Sequence, residues 1–201
     1  TGHRHAPFEG SARDRQILET ALDEADYLVA ATFGQDKVRI GPELPVVREF
    51  DVTGHDRPVS VRLYDPAPEN RNAPCVIFLH GGGWCMGDIE SRDDGARLLA
   101  HNSKAKVISV DYPLAPEAKF PLPLLNVIAA ISSIQQQASN LGINSNQIFA
   151  AGDSAGANLA LAAAIHMRDH NMPPLAGLLL FYGVYAHDHS TPSHKLFGED
   201  E

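Results

Sequence analysis

Cysteine is scarce in this chain: two of 201 residues, Cys75 and Cys85. Two cysteines make neither a disulfide framework nor the paired spacing of a zinc site. A reducing compartment fits, and the cytoplasm is the expected location. Basic residues are also short, 16 Lys and Arg against 25 Asp and Glu, for a net charge of −9. That balance argues against nucleic acid as a partner and against a polybasic membrane anchor. No apolar run approaches the length of a bilayer span. The opening residues, TGHRHAPFEG, lack the apolar stretch of a signal peptide. They also lack an initiator Met, so residues upstream are expected to have been removed or not shown. Internal repeats, low-complexity tracts and a clear interdomain linker are missing too. The length favours one domain with a sizeable core.

What is present alternates between strand-like and helix-like segments. Ser11 to about Phe33 reads as a helix capped by Ser11, with Ile17, Leu18, Ala21, Leu22, Ala25, Leu28 and Val29 forming an apolar stripe. Val46–Val52 and Val59–Tyr64 read as strands joined by the turn TGHD. Cys75–Leu79 and Val107–Val110 are short, continuously apolar strands of the kind buried on both faces. Ser91 to about Asn102 reads as a helix. So does Pro121–Leu141, opened by prolines and ended at Gly142. Ile148–Ala151 is expected to be a strand, Ser154–Arg168 a helix and Gly177–Tyr182 a strand. This alternation predicts an α/β fold with a mostly parallel sheet flanked by helices.

Two glycine-rich stretches carry the chemistry. GDSAG, Gly152–Gly156, sits where a predicted strand turns into a predicted helix and fits the G-x-S-x-G nucleophile elbow. Such a turn exposes the Ser154 hydroxyl above the sheet, and Gly152 and Gly156 let neighbouring backbone pack closely. The helix start directs its positive dipole end at the site of a developing oxyanion. The second stretch is HGGGW, His80–Trp84, directly after an apolar strand. Three successive glycines allow backbone N–H groups to approach a substrate that side chains would block. Acyl transfer builds negative charge on the carbonyl oxygen, and one preorganised donor is worth roughly 2.7–4 kcal/mol. The expected donors are the N–H groups of Gly82, Gly83 and Ala155. His80, Trp84 and Asp153 are expected to be structural, with His80 holding the loop through hydrogen bonds. A phosphate-binding loop fits poorly, since no Lys-Ser/Thr follows and the G-x-G-x-x-G spacing is absent.

HGGGW, DYPLAPE at Asp111–Glu117 and GDSAGANLA at Gly152–Ala160 occur in that order. Together with GDIESRDDGARLLA at Gly87–Ala100, they resemble the hormone-sensitive-lipase family of α/β-hydrolases, over most of the chain after about Val46. The resemblance implies an α/β-hydrolase fold and a carboxylesterase or lipase without cofactor. It also implies a Ser-Asp-His triad and an N-terminal helical cap over the acyl pocket. Residues 1–45 would then be the cap segment, and residues 46–201 the N-terminal part of the core. One departure is Pro113, where the family usually has Arg in DYRLAPE; it bears on loop packing and not on catalysis.

The family's triad acid and histidine follow strands that come after Gly177–Tyr182. The tail AHDHSTPSHKLFGEDE holds His187, Asp188, His189 and His194, but six residues between Asp188 and His194 do not supply two strands. The acid and histidine are therefore expected outside this chain. A missing C-terminal segment or another chain is expected to cover the LLLFY sheet edge, and these 201 residues alone are expected to be inactive. His55, His101 and His166 lack metal-ligand context, and no metal site is expected. The leading expectation is a serine hydrolase cleaving small-molecule carboxylic esters through an acyl-enzyme on Ser154. The alternatives are a non-catalytic ligand-binding protein or truncated inactive member of the same fold, and an arylformamidase-like amidase.

Overall fold

The computed structural model describes residues 41–186 together with 190, 192 and 195. The expected cap helix Ser11–Phe33 and the tail residues His187, Asp188, His189 and His194 lie outside the described residues.

Six strands form one sheet: β1 (Val46–Val52), β2 (Val59–Asp65), β3 (Ala73–Leu79), β4 (Lys106–Val110), β5 (Ile143–Asp153) and β6 (Gly177–Phe181). Their order is β1-β2-β4-β3-β5-β6. β1 and β2 form an antiparallel hairpin, and β2 lies antiparallel to β4. The β4-β3, β3-β5 and β5-β6 pairs are parallel. Four helices connect them: α1 (Asp93–Ser103), α2 (Leu122–Gln136), α3 (Ala138–Leu141) and α4 (Ala155–Asp169).

The apolar runs explain the layering. Alternate residues of β3 enter opposite cores, as a strand's period of two requires. Cys75, Ile77 and Leu79 pack with Val127 and Ile131 of α2 and Leu159 and Ala163 of α4. Val76 packs on the other face with Tyr64, Val107, and Ala96 and Ala100 of α1. Helices thus cover both faces of the parallel part of the sheet. Burial holds the Cys75 thiol protonated, pushing its pKa up to about 12. None of the described helices is long and apolar enough to cross a membrane.

Several expected strand ends shift by one or two residues, β3 for instance starting at Ala73 and not Cys75, and three differences bear on the site or the core. The single helix Pro121–Leu141 is two helices, broken at Gln137. The Gln137 N–H turns back to the carbonyls of Ser133 and Gln135, and its side-chain amide donates to Ser133 Oγ at 3.0 Å. β5 begins at Ile143, five residues before the expected Ile148, and an irregularity in the β3–β5 pairing falls between Ala73 and Cys75. The polar run NSNQ is that irregularity: it has no partner on β3 and bulges between the pairs Ala73–Ile143 and Cys75–Ile148, with the Asn146 N–H bonded to Asn144 Oδ1 at 3.0 Å. A 3-10 turn at Glu90–Arg92 precedes α1, which starts at Asp93. It places Arg92 beside the end of β5, where it matters below.

Candidate active site

β3 and β5 are adjacent and parallel, with Leu79 opposite Gly152. Their C-terminal ends therefore deliver both glycine-rich turns to one place.

After β5, Ser154 adopts φ 49° and ψ −114°. A non-glycine residue in such a conformation costs of order 1–3 kcal/mol, and such strain clusters at functional sites. The surrounding glycines make room for it. A Cβ on Gly156 would run into the Leu79 carbonyl oxygen and come within 2.6 Å of that of His80. A Cβ on Gly152 would lie 2.5 Å from the Gly156 carbonyl carbon. The Ser154 N–H donates to the Phe181 carbonyl of β6 at 2.9 Å, and the Ser154 carbonyl accepts from the Asn158 N–H at 3.1 Å. Ala155 is the first residue of α4, so its amide lies at the positive end of a 15-residue helix.

After β3, the loop takes three successive positive φ values: 133° at Gly82, 60° at Gly83 and 61° at Trp84. The Gly82 carbonyl accepts from the amides of Cys85 at 3.2 Å and Met86 at 2.9 Å, which closes the turn. The Gly81 amide donates to Asp153 Oδ1 at 2.9 Å. The amides of Gly82 and Gly83 have no hydrogen-bond partner among the described residues. Two adjacent backbone donors are thus left for an acceptor beside the Ser154 turn.

His80 anchors the loop from below. It is 2% exposed, and its ring stacks on Tyr112 with centroids 4.3 Å apart. Its Nδ1 donates to the Gly81 carbonyl at 2.9 Å, and the Tyr112 hydroxyl donates to the His80 carbonyl at 2.6 Å. A carbonyl only accepts, so the proton sits on Nδ1 and Nε2 is a bare acceptor. Nε2 has no partner among the described residues. Burial lowers the His80 pKa below its ordinary value, which keeps the ring neutral. Trp84 is partly buried, and its carbonyl accepts the Ala115 N–H at 2.9 Å. The DYPLAPE segment with Pro113 is thereby tied to the glycine loop.

Asp153 joins the two turns. Besides the Gly81 amide, its carboxylate takes Arg92 Nη2 at 2.9 Å and the Tyr182 hydroxyl at 3.4 Å. Tyr182 is itself at a positive φ of 36°.

An apolar cavity of about 320 Å³ lies alongside, lined among others by Trp84, Phe120, Leu124, Asn158, Leu159 and Ala162. Trp84 belongs to the glycine loop, and Asn158 follows Ser154 by about one helical turn, so the cavity adjoins the site. A larger cavity, about 500 Å³, is lined by Ser145, Asn146 and residues 172–176 where β5 begins. It is at the other end of the strand from Ser154.

The structure thus brings together Ser154, Ala155, Asp153, His80, Gly82, Gly83 and Trp84, all singled out from sequence. Arg92, Tyr112 and Tyr182 were missed. Tyr112 lay within the recognised DYPLAPE stretch and Arg92 within GDIESRDDGARLLA, without a role being assigned to either, whereas Tyr182 sits in a segment without local signature. No group of three or more His, Cys, Asp or Glu among the described residues is arranged to hold a metal ion.

The model of a family described as the alpha/beta hydrolase fold matches residues 76–201. Among solved structures, a hyperthermophilic esterase from the archaeon Pyrobaculum calidifontis is 32% identical, with a TM-score of 0.71 over 85% of this chain and 51% of its own. The ester-hydrolase EH1AB1 from the metagenome of Lake Arreo is 30% identical, with a TM-score of 0.78 over 89% of this chain and 56% of its own. EstE1, a thermostable carboxylesterase cloned from a metagenomic library, is 30% identical, with a TM-score of 0.77 over 93% and 61%. The chain therefore spans between 51% and 61% of the length of these relatives.

Proposed function

Because the chain belongs to the alpha/beta hydrolase fold family, we propose that it carries the nucleophile and oxyanion side of a carboxylic-ester hydrolase of the hormone-sensitive-lipase type. The observation that carries this reading is the pairing of a strained Ser154 with two unengaged glycine amides, held together through Asp153. The names of the similar structures, esterase and carboxylesterase, point the same way.

In this reading Ser154 Oγ attacks the ester carbonyl carbon and gives its proton to a base. The carbonyl oxygen becomes an oxyanion that accepts hydrogen bonds from Gly82, Gly83 and Ala155. Collapse of the tetrahedral intermediate breaks the bond to the alcohol oxygen, which leaves with the proton. Water then attacks the acyl-enzyme by the same route in reverse and releases the carboxylic acid. The Ser154 amide already bonds β6, so the helix donor is Ala155. The apolar cavity beside Trp84 takes an uncharged hydrocarbon portion of the ester. The base and its orienting acid come from outside the 201 residues. Without them Ser154 is a weak nucleophile, since a hydroxyl is almost wholly protonated at neutral pH.

Labelling with a fluorophosphonate and hydrolysis of p-nitrophenyl acetate and butyrate test this, with Ser154→Ala as the blank. The isolated chain is expected to keep only the residual ~10³–10⁴-fold catalysis over water that survives loss of a triad member. Supplying a downstream segment with the acid and histidine should raise serine-dependent turnover. Labelling that persists in Ser154→Ala would overturn the assignment.

A further inference from the structure

We propose that Asp153, braced by Arg92, is a positioning residue that sets the oxyanion loop against the nucleophile turn; this rests on the reading of Ser154 above.

One largely buried carboxylate serves both turns. It is attached to the residue immediately before Ser154, so its own place is fixed by β5, where Asp153 pairs with Phe181 of β6. Its Oδ1 accepts the Gly81 amide at 2.9 Å. Its Oδ2 takes the charge-assisted bond from Arg92 Nη2, also at 2.9 Å, with Arg92 Nε at 3.3 Å. Both side chains of the pair are largely out of solvent, at 17% and 7% exposure. The approach is tight: a Cβ on Gly81 would strike Asp153 Oδ2 and lie 2.9 Å from its carbonyl oxygen. The carboxylate therefore divides the three glycine amides. It consumes the first as a tether and leaves the next two aimed elsewhere. An amide side chain does not do both tasks: with its single oxygen on Gly81 it keeps only the long 3.4 Å approach of Arg92 Nε and loses the 2.9 Å bond from Arg92 Nη2. Its NH₂ group would then confront the other donor. Arg92 comes from the 3-10 turn before α1, so a third segment stiffens the junction.

The test uses Asp153→Asn, Arg92→Met, Arg92→Lys and the Asp153→Asn/Arg92→Met double variant. With the downstream segment that carries the acid and histidine supplied, Ser154-dependent turnover of p-nitrophenyl acetate is measured beside backbone amide exchange at Gly81. A displaced oxyanion donor acts in the transition state, so kcat should fall ~10-fold or more in Asp153→Asn and Arg92→Met, with KM within about twofold. Arg92→Lys should recover most of the loss. The double variant should be no worse than Asp153→Asn, because residues sharing one contact are not additive. Gly81 exchange should quicken in both single variants. Unchanged kcat, a KM rise that accounts for the loss, or multiplicative losses in the double variant would each overturn the proposal. If Ser154→Ala hydrolyses ester as fast as the parent, the reading of Ser154 fails. The tether is then judged on Gly81 exchange alone, where quickening supports it and no change overturns it.

Discussion

The glycines of the elbow and those of the oxyanion loop look alike in sequence and are required for opposite reasons. In the elbow the constraint is space: Gly152 and Gly156 sit where backbone of β3 and α4 leaves no room for a Cβ. In the loop the constraint is largely dihedral, with φ of 133° and 60° at Gly82 and Gly83. Gly83 shows the difference most plainly, since a Cβ there meets nothing nearer than Cys85 Sγ at 3.8 Å. Elbow glycines make room for the Ser154 turn, whereas loop glycines hold a left-handed backbone that, in the proposed reading, leaves their amides open to substrate.

Substitutions can separate these roles. The largest structural effect is expected from Gly156→Ala, which forces the Leu79 carbonyl to move inside the sheet. Overpacking of this kind costs about 3 kcal/mol, and Tm should fall roughly 6–12 °C for a chain of this size. A thermal melt checks it, and an unchanged Tm would erase the distinction. Gly82→Val comes next. Its Cβ would collide with the Met86 carbonyl, but that carbonyl lies in an exposed turn that gives way. Ser154-dependent kcat should fall on the order of 10²-fold through loss of an oxyanion donor. Its Tm should drop less than in Gly156→Ala. Gly83→Ala is milder: the left-handed conformation costs a non-glycine residue about 1 kcal/mol, and space is available. Its kcat should stay closer to the parent than that of Gly82→Val. If the order of these two is reversed, steric blockade of substrate outweighs donor placement at Gly83.

Much of this was legible beforehand because it is local. Buried parallel strands announce themselves as runs such as Cys75–Leu79, and the elbow shows in the strand-glycine-serine-glycine-helix order. What was not legible depends on partners far apart in the chain. Arg92 meets Asp153 across 61 residues, and no spacing rule reports that. The early start of β5 was hidden by Asn144, Ser145 and Asn146, which have no partner on β3 and separate the lone Ala73–Ile143 pair from the ladder that resumes at Ile148. The break at Gln137 was hidden for the converse reason. Ser133 and Gln137 bond each other by side chain and backbone within an otherwise helical pattern.

The last and smallest expected effect concerns pH, and it sets His80, at the base of the loop, against Asp153, at the base of the elbow. Asp153 is bonded to Arg92 and to the Gly81 amide, whereas His80 is held neutral by burial. Its pKa lies below the ordinary 6.5 in the folded protein, and it returns to that value on unfolding. Below pH 6.5 the unfolded chain therefore binds a proton that the folded chain resists. Unfolding is then favoured as pH falls. The stabilisation from a neutral His80 is complete above its unfolded pKa and is lost as pH drops through the folded pKa. His80→Asn keeps a donor toward the Gly81 carbonyl and has nothing to titrate. Urea midpoints measured from about pH 8 down to about pH 5 should fall more steeply for the parent than for His80→Asn. Subtracting the two curves removes the contribution of the other histidines. Parallel curves would mean that His80 takes up its proton as readily in the folded loop as in water.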